Sequence, residues 1–326
     1  MKKINELWRT EARRAPLKDK NRFSERSVFP SGRQALSFSL ADAGISRAEK
    51  VAIPDWSSSC VISAIGKYAS PIPMREALKH KIKVRAVLIY EQWGWPVKKT
   101  DLEKIAACFP GAVLLHDMVD SAHLLEVEGR EVQGFKSVYQ IASLSKLLGV
   151  SGGGLLKRDG EYLQFGSTKE AERLMKVLEN NNLIPLAPYG YYKNILKTSV
   201  PALDPYTKKW LKENDLRLAL EQERKARLAN LQLVLKSDLA KDWPEWMREA
   251  VAAGAGPGII PMFRGRPEKQ LRQKHDQLLR AGVETSLYHF NWSGDPVRPK
   301  YELCLAFPVH GMVTEINEIL ERIKDG

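Results

Sequence analysis

The chain has 326 residues, a formal net charge of +12, and a composition that is 44% hydrophobic and 28% charged. That length buries a substantial core and points to two domains, one large and one small, of ordinary globular composition. The basic residues are dispersed among acids and form no tract, so the charge reads as a general attraction for phosphorylated, anionic small molecules, with no nucleic-acid motif beside it.

In chain order, Ile4 to Ala15 reads as a short polar helix followed by a charged loop, together an N-terminal arm over residues 1–29. Pro30-Ser31-Gly32-Arg33 opens a helix with Ala35, Leu36, Leu40 and Ala41 on one face and Gly44 near its end. Lys50 to Ile53 is a buried strand stopped by Pro54, Val61 to Tyr68 a helix, and Pro71 to Met74 an edge strand. Val84 to Tyr90 is a continuous apolar strand of the parallel-sheet kind, Thr100 to Cys108 an amphipathic helix, and Ala112 to His116 a buried strand ending at Asp117. Another apolar run, from Val138, leads through Ser143, Ser145 and Lys146 into the Gly152-Gly153-Gly154 cluster and a further strand at Leu155-Leu156.

Beyond this point the pattern changes. Lys169 to Asn180 reads as a helix and Pro185 to Tyr192 as a connector, and Pro205 to Leu239 is a long charged helical stretch with room for a break. Strands at 258–263, 284–290 and 301–307 and helices at 267–281 and 313–323 then form a small α/β unit. The expected fold class is α/β: a large doubly wound domain with a mainly parallel sheet (residues 30–204), a bridging helical segment (205–240) and a smaller C-terminal domain (241–326). In such a sheet the ligand lies beyond the carboxyl ends of the strands, where Ser31, Trp56, Trp93, Asp117 and Lys146 fall.

Cys60, Cys108 and Cys304 are too few and too scattered for a disulfide framework, which fits a reducing cytoplasm. The six histidines show no metal-ligand spacing, so no metal is expected. Met1 to Arg26 lacks an apolar signal core and no apolar run approaches membrane-spanning length, so the expectation is a soluble cytoplasmic protein with no membrane partner.

Lys146 is the residue with the most chemical content. Between a buried strand end and a glycine turn an amine is poorly solvated, which lowers its pKa and leaves more of it nucleophilic, as a Schiff-base lysine requires. Asp117 ends a buried strand, where an acid is costly unless it caps a helix or meets a cation; a protonated pyridine nitrogen is such a cation. Ser31-Gly32-Arg33 at a helix start offers free N–H groups to an anion, although Ser31 serves equally as a plain N-cap. Trp56 has the flat surface to stack on a ring or to pack in a core or interface.

Taken together, Ser31-Gly32-Arg33-x-Ala35-Leu36, Val51-x-Ile53-Pro54, Gln92-Trp93-Gly94-Trp95-Pro96, His116-Asp117 and Ser143-x-Ser145-Lys146 through Gly152-Gly153-Gly154 occur in an order that resembles the fold-type I pyridoxal-phosphate (PLP) enzymes. Among these the pattern is most similar to the DegT/DnrJ/StrS-type sugar aminotransferases, well over about residues 28–160 and more loosely around Leu305 to His310. The resemblance implies an aspartate-aminotransferase-like fold and PLP as cofactor. It assigns Lys146 as the Schiff-base lysine that also shuttles the proton, Asp117 as partner of the pyridine nitrogen, and Ser143, Gly32 and Arg33 as the phosphate seat. Trp56 would be the stacking ring, with Ser58 as a competing alignment.

The departures are specific. Asp120 stands where the family usually has a glutamine near the cofactor hydroxyl, His116-Asp117 replaces an acidic pair, and the link from Met74 to Val84 is short. The family's Asn-x-Arg segment has no clear counterpart near Asn194. The resemblance implies transfer of an amino group from an amino-acid donor, commonly glutamate, to a nucleotide-linked keto-sugar in amino-sugar or polysaccharide biosynthesis, by a homodimer acting on small molecules. A PLP-dependent lyase and a non-catalytic accessory relative are the alternatives.

Overall fold

The computed structural model describes residues 5–15, 27–123, 132–164 and 203–325. The helix expected over 169–180, the 185–192 connector and Asn194 lie outside these residues. Two sheets organise the described chain. The larger has seven strands: β1 (Lys50–Ile53), β2 (Ser70–Pro73), β3 (Ala86–Tyr90), β4 (Val113–Asp117), β5 (Ser137–Ser143), β6 (Gly154–Arg158) and β7 (Glu161–Tyr162), in the spatial order β2-β1-β3-β4-β5-β6-β7. The first five run parallel, β6 returns antiparallel to β5, and β7 pairs antiparallel with β6.

The strand sequences explain these positions. Val113 to Asp117 is buried at every residue, because the centre of a parallel sheet is covered on both faces. Pro71 and Pro73 cannot donate to a ladder, and they lie in β2 at the sheet edge. Of the helices around this sheet, α1 (Gly32–Asp42) is capped by the Ser31 hydroxyl, which accepts from the Gln34 amide at 3.2 Å. The others are α2 (Ser59–Gly66), α3 (Met74–Lys79), α4 (Lys99–Cys108) and a single turn, α5 (Leu144–Leu148). The third of these, over the abbreviated Met74-to-Val84 link, had no counterpart among the sequence expectations.

The smaller sheet has the order β8-β10-β9, all antiparallel, from β8 (Ile259–Met262), β9 (Ser286–Asn291) and β10 (Tyr301–Pro308). The long charged stretch is broken into α6 (Pro205–Glu213) and α7 (Leu216–Leu235), with Asp204 and Asp215 as N-caps. Helices α8 (Glu245–Ala252), α9 (Glu268–Arg280) and α10 (Ile316–Asp325) complete the C-terminal part.

The two sheets are clamped by an aromatic insertion. Trp93 and Trp95, on the loop after β3, are buried in the core of the smaller unit: Trp93 stacks on Phe290 at 5.3 Å, and Trp95 meets Trp243 edge-on at 5.4 Å. The Trp95 indole donates to the Ile259 carbonyl and the Gly258 amide to the Trp93 carbonyl. Gly94, between them, has φ +90°, and a Cβ there would lie 2.7 Å from the Asp120 carbonyl oxygen.

The first element departs from the sequence expectation. Asn5 to Ala15 forms no helix; it is an irregular strap whose polar groups find partners far along the chain. The Asn5 side chain exchanges hydrogen bonds with the Glu284 backbone, the Arg13 amide donates to the Leu148 carbonyl, and the Ala15 amide donates to Asn214. Long-range partners have replaced the i to i−4 ladder that a polar helix of this length would sustain only marginally by itself.

Candidate active site

The carboxyl ends of β3, β4 and β5 lie side by side, with Tyr90 opposite Asp117 and Asp117 opposite Ile141, two residues before Ser143 ends its strand. The chain then turns into α5, where Leu144, Leu147 and Leu148 are buried at i, i+3 and i+4. That spacing turns the remaining face of the turn, with Lys146, toward the cleft. The helix stops at Gly149, which has φ +71°. A Cβ at Gly149 would overlap the carbonyl of Glu11, so the N-terminal strap lies directly against this turn.

The Lys146 ammonium pairs with Asp120 at 3.4 Å. Asp120 is buried and also accepts from the Tyr90 hydroxyl. Asp117, one turn of chain earlier, is buried and accepts from the Val119 amide at 3.2 Å. Gly32, the first residue of α1, sits against the same strand end: a Cβ there would lie 3.2 Å from Cβ of Ser143 and 3.3 Å from a methyl of Val119. The Ser143 and Ser145 hydroxyls share a 3.0 Å hydrogen bond. Lys146, Asp117, Asp120, Ser143 and Gly32 are therefore brought together, although 115 residues of sequence (32 to 146) span them.

Arg33 is exposed at the rim. It lines an open polar groove of about 570 Å³ together with Ser31, Gln34, Cys60, Lys67 and Ser151. Trp56 has its contacts elsewhere. It is 55% exposed, with its indole lying flat on the His289 imidazole at 3.6 Å and 7°, in a cleft shared with Asp55, Arg75 and Tyr90. Ser58, the competing position, is the N-cap of α2, and its hydroxyl contacts Cys60.

The electrostatics correct one expectation. Desolvation does pull the Lys146 pKa down, but the Asp120 and Asp117 carboxylates outweigh it, and the net shift is upward from the ordinary lysine value. The side chain is also 40% exposed rather than enclosed. Asp117 moves the other way for a carboxylate: burial raises its pKa to about 6, with Lys146 lowering it and Asp120 adding to the rise. A buried carboxylate short of positive charge is suited to a cationic N–H donor.

Beside Asp117 lies a second buried cluster that the sequence did not disclose. The Glu91 amide donates to the Asp117 carbonyl at 2.9 Å. Its carboxylate accepts from the Ser121 hydroxyl at 2.6 Å and lies 3.1 Å from His116 and 3.2 Å from His123. Burial raises the Glu91 pKa, yet the two imidazoles more than reverse this and hold it well below the usual carboxylate range. The departure from an acidic pair at His116 thus coincides with an acid at the end of the neighbouring strand. The available signal was a charged residue directly after the buried run of β3.

The strap supplies a further residue that sequence reasoning missed. Trp8 places its ring 5.6 Å from the Lys146 ammonium. No periodicity marked it. Among the described residues no group of His, Cys, Asp and Glu has the arrangement of a metal site, and no helix is long and apolar enough to cross a membrane.

Residues 20–166 match a family model described as "Putative PLP-dependent aminotransferase". A search of curated proteins gives no match. Among solved structures, a DegT DnrJ EryC1 StrS aminotransferase from Brucella abortus is similar at TM-score 0.56 and 16% identity, over 91% of this chain and 84% of that one. NtdA from Bacillus subtilis with bound cofactor PMP gives TM-score 0.55 and 14% identity, over 91% and 72%. The PMP form of "Putative sugar aminotransferase Spr1654" from Streptococcus pneumoniae gives 0.53 and 14%, over 91% and 86%. The family model thus matches residues 20–166, less than half of the chain, and the likeness to these solved structures shows a fold shared with aminotransferases of PLP fold type I.

Proposed function

We propose that this protein moves an amino group from an amino-acid donor, glutamate in the first instance, to a nucleotide-linked keto-sugar. The observation that carries the reading is the convergence of Lys146, Asp117 and Asp120 at the carboxyl ends of β3 to β5, beside the start of α1. The donor set fits PLP. Asp117 is a buried carboxylate with a pKa of about 6, matched to a ring N–H; Lys146 is the amine; Gly32 and Ser143 meet where a helix N-terminus favours a phosphate.

PLP, when bound, supplies an electron sink for the carbon that carries the amino group. Lys146 binds it through Nζ and afterwards holds and returns the proton at that atom. Asp117 keeps the ring nitrogen protonated. Asp120, with Tyr90 donating to it, orients Lys146 and keeps a negative charge beside its nitrogen. Ser143, Gly32 and Arg33 hold the phosphate, and Arg33 and Lys67 give the adjoining groove a positive character suited to a phosphorylated acceptor. Trp56 offers a flat ring at the cleft between the two sheets.

The sugar acceptor is supported by the likeness to DegT-type and sugar-aminotransferase structures, together with the net charge of +12. The reading divides the chain into the arm 1–29, the PLP-binding domain 30–204, the bridge 205–240 and the C-terminal domain 241–326, working as a cytoplasmic homodimer in amino-sugar biosynthesis. The test is a spectral titration. Protein loaded with PLP should lose its visible absorbance on adding glutamate and regain it on adding a keto-sugar nucleotide. If no amino acid bleaches it, the transaminase reading fails; if no sugar nucleotide restores it while simple keto acids do, the sugar assignment fails.

A further inference from the structure

The strap from Asn5 to Ala15 is fastened to the body of the protein by a buried ion cluster. Glu223, on α7, is fully buried and receives Arg9 and, at 3.0 Å, Arg13 from the strap. Arg227, one turn further along the same helix, donates to Glu223 at 2.9 Å and also to the Asp120 carbonyl at 2.9 Å. The cluster therefore joins the strap to the backbone of the residue that pairs with Lys146. The remaining anchors lie on both sides of it: Asn5 on Glu284, the Glu6 carbonyl against His310, and the Arg13 amide on Leu148.

Between these anchors the strap carries Trp8, whose neighbour Arg9 is only 5% exposed while Trp8 itself is 38% exposed. Its ring is thus free on one side and has a neighbour on the other. Here its face lies 5.6 Å from the Lys146 ammonium, within the range where a ring quadrupole attracts a cation. The Glu11 carbonyl against Gly149 fixes the distance between the strap and the turn that carries the lysine.

We propose that Trp8 is a residue of the active site: held by the Arg9–Arg13–Glu223 latch, it walls Lys146 on the solvent side and restricts which molecules reach it. It acts on Lys146 as a positioning and screening residue, with no chemical step of its own. Asp120 and Trp8 then hold the lysine nitrogen between a carboxylate and a π face, and Arg227 couples the latch to Asp120. This inference rests on Lys146 being the cofactor-binding lysine only for its consequence in catalysis; the contact itself belongs to the cofactor-free chain.

The experiment therefore has two arms. In the cofactor-free protein, Lys146 is labelled with a water-soluble amine reagent and its modification is followed by peptide mass spectrometry. Trp8→Ala should raise the rate about two- to fivefold, Trp8→Phe should restore it to near the wild-type rate, and Glu223→Gln, which loosens the latch, should raise it as well. Thermal unfolding shows whether each variant is folded. An unchanged rate in folded Trp8→Ala overturns the proposal.

In the second arm, PLP is added and tryptophan emission is followed in wild type and Trp8→Phe. Quenching should be smaller in the variant at equal PLP occupancy, because the indole next to Lys146 has been removed. Equal quenching at full occupancy would also overturn the proposal. A wild type that shows the labelling effect but takes up no PLP would sink the cofactor reading and leave the Trp8–Lys146 wall standing.

Discussion

Asp120 lies 3.4 Å from the Lys146 ammonium and accepts a hydrogen bond from Tyr90, so a carboxylate stands against the amine proposed to bind the cofactor. Its carbonyl is gripped by Arg227 and packed against Gly94. A residue so restrained on both sides sets the charge state of its neighbour. Asp120→Asn should lower the Lys146 pKa, because the ammonium loses the nearer of two stabilising carboxylates. The pH profile of Lys146 labelling in the cofactor-free protein measures this. A profile identical to wild type would show that Asp120 does not govern the lysine.

Asp117 carries a cost that the cofactor-free fold bears. Its pKa rises from 3.8 to about 6, so the folded state binds a proton that the unfolded state releases between those values. The sign is destabilising at neutral pH: stability from this group improves as pH falls from about 6 toward 3.8. Asp117→Asn should therefore stabilise the cofactor-free protein at pH 8 by up to about 3 kcal/mol, with the gain vanishing near pH 4. The same variant should bind PLP more weakly. Urea unfolding at the two pH values, with a PLP titration beside it, tests both halves.

Glu223 works in the opposite sense. Burial raises its pKa, but Arg227 and Arg9 bring it down to about 2 from an ordinary 4.5. Its contribution is complete above pH 4.5 and is lost as pH falls toward 2. Replacing it leaves Arg9, Arg13 and Arg227 facing one another, so Glu223→Gln should cost about 3–5 kcal/mol at pH 7. Denaturant melts should show that deficit shrinking below pH 4.5. His310, buried against the same cluster, has its pKa lowered to about 4 from 6.5, first by burial and then by Arg227. It adds an earlier loss of stability as pH falls from 6.5 to 4.

Gly94 offers a steric test of the clamp between the sheets. Its φ of +90° and the 2.7 Å approach of a Cβ to the Asp120 carbonyl both oppose a side chain. Gly94→Ala should cost about 1–3 kcal/mol in unfolding free energy and shift the Lys146 labelling profile by displacing Asp120. Gly44 is the control. It also has positive φ, but no atom lies within 4 Å of its Cβ position, so Gly44→Ala should leave the lysine profile unchanged.

The sequence determined the alternation of buried strands and amphipathic helices, because side-chain periodicity and proline placement act locally and can be read from neighbours. It also singled out Asp117, Lys146, Ser143 and Gly32, since an acid or amine at a strand end and a glycine at a helix start stand out against an apolar run. Only the tertiary structure decided the rest. Trp8, Glu91 and Arg227 reach the site through contacts 25 to 138 residues apart in sequence, and Arg9 reaches Glu223 across 214. The reversed shift of the Lys146 pKa has the same origin. Desolvation follows from local sequence, whereas the carboxylates that overcome it are brought there by the folded sheet.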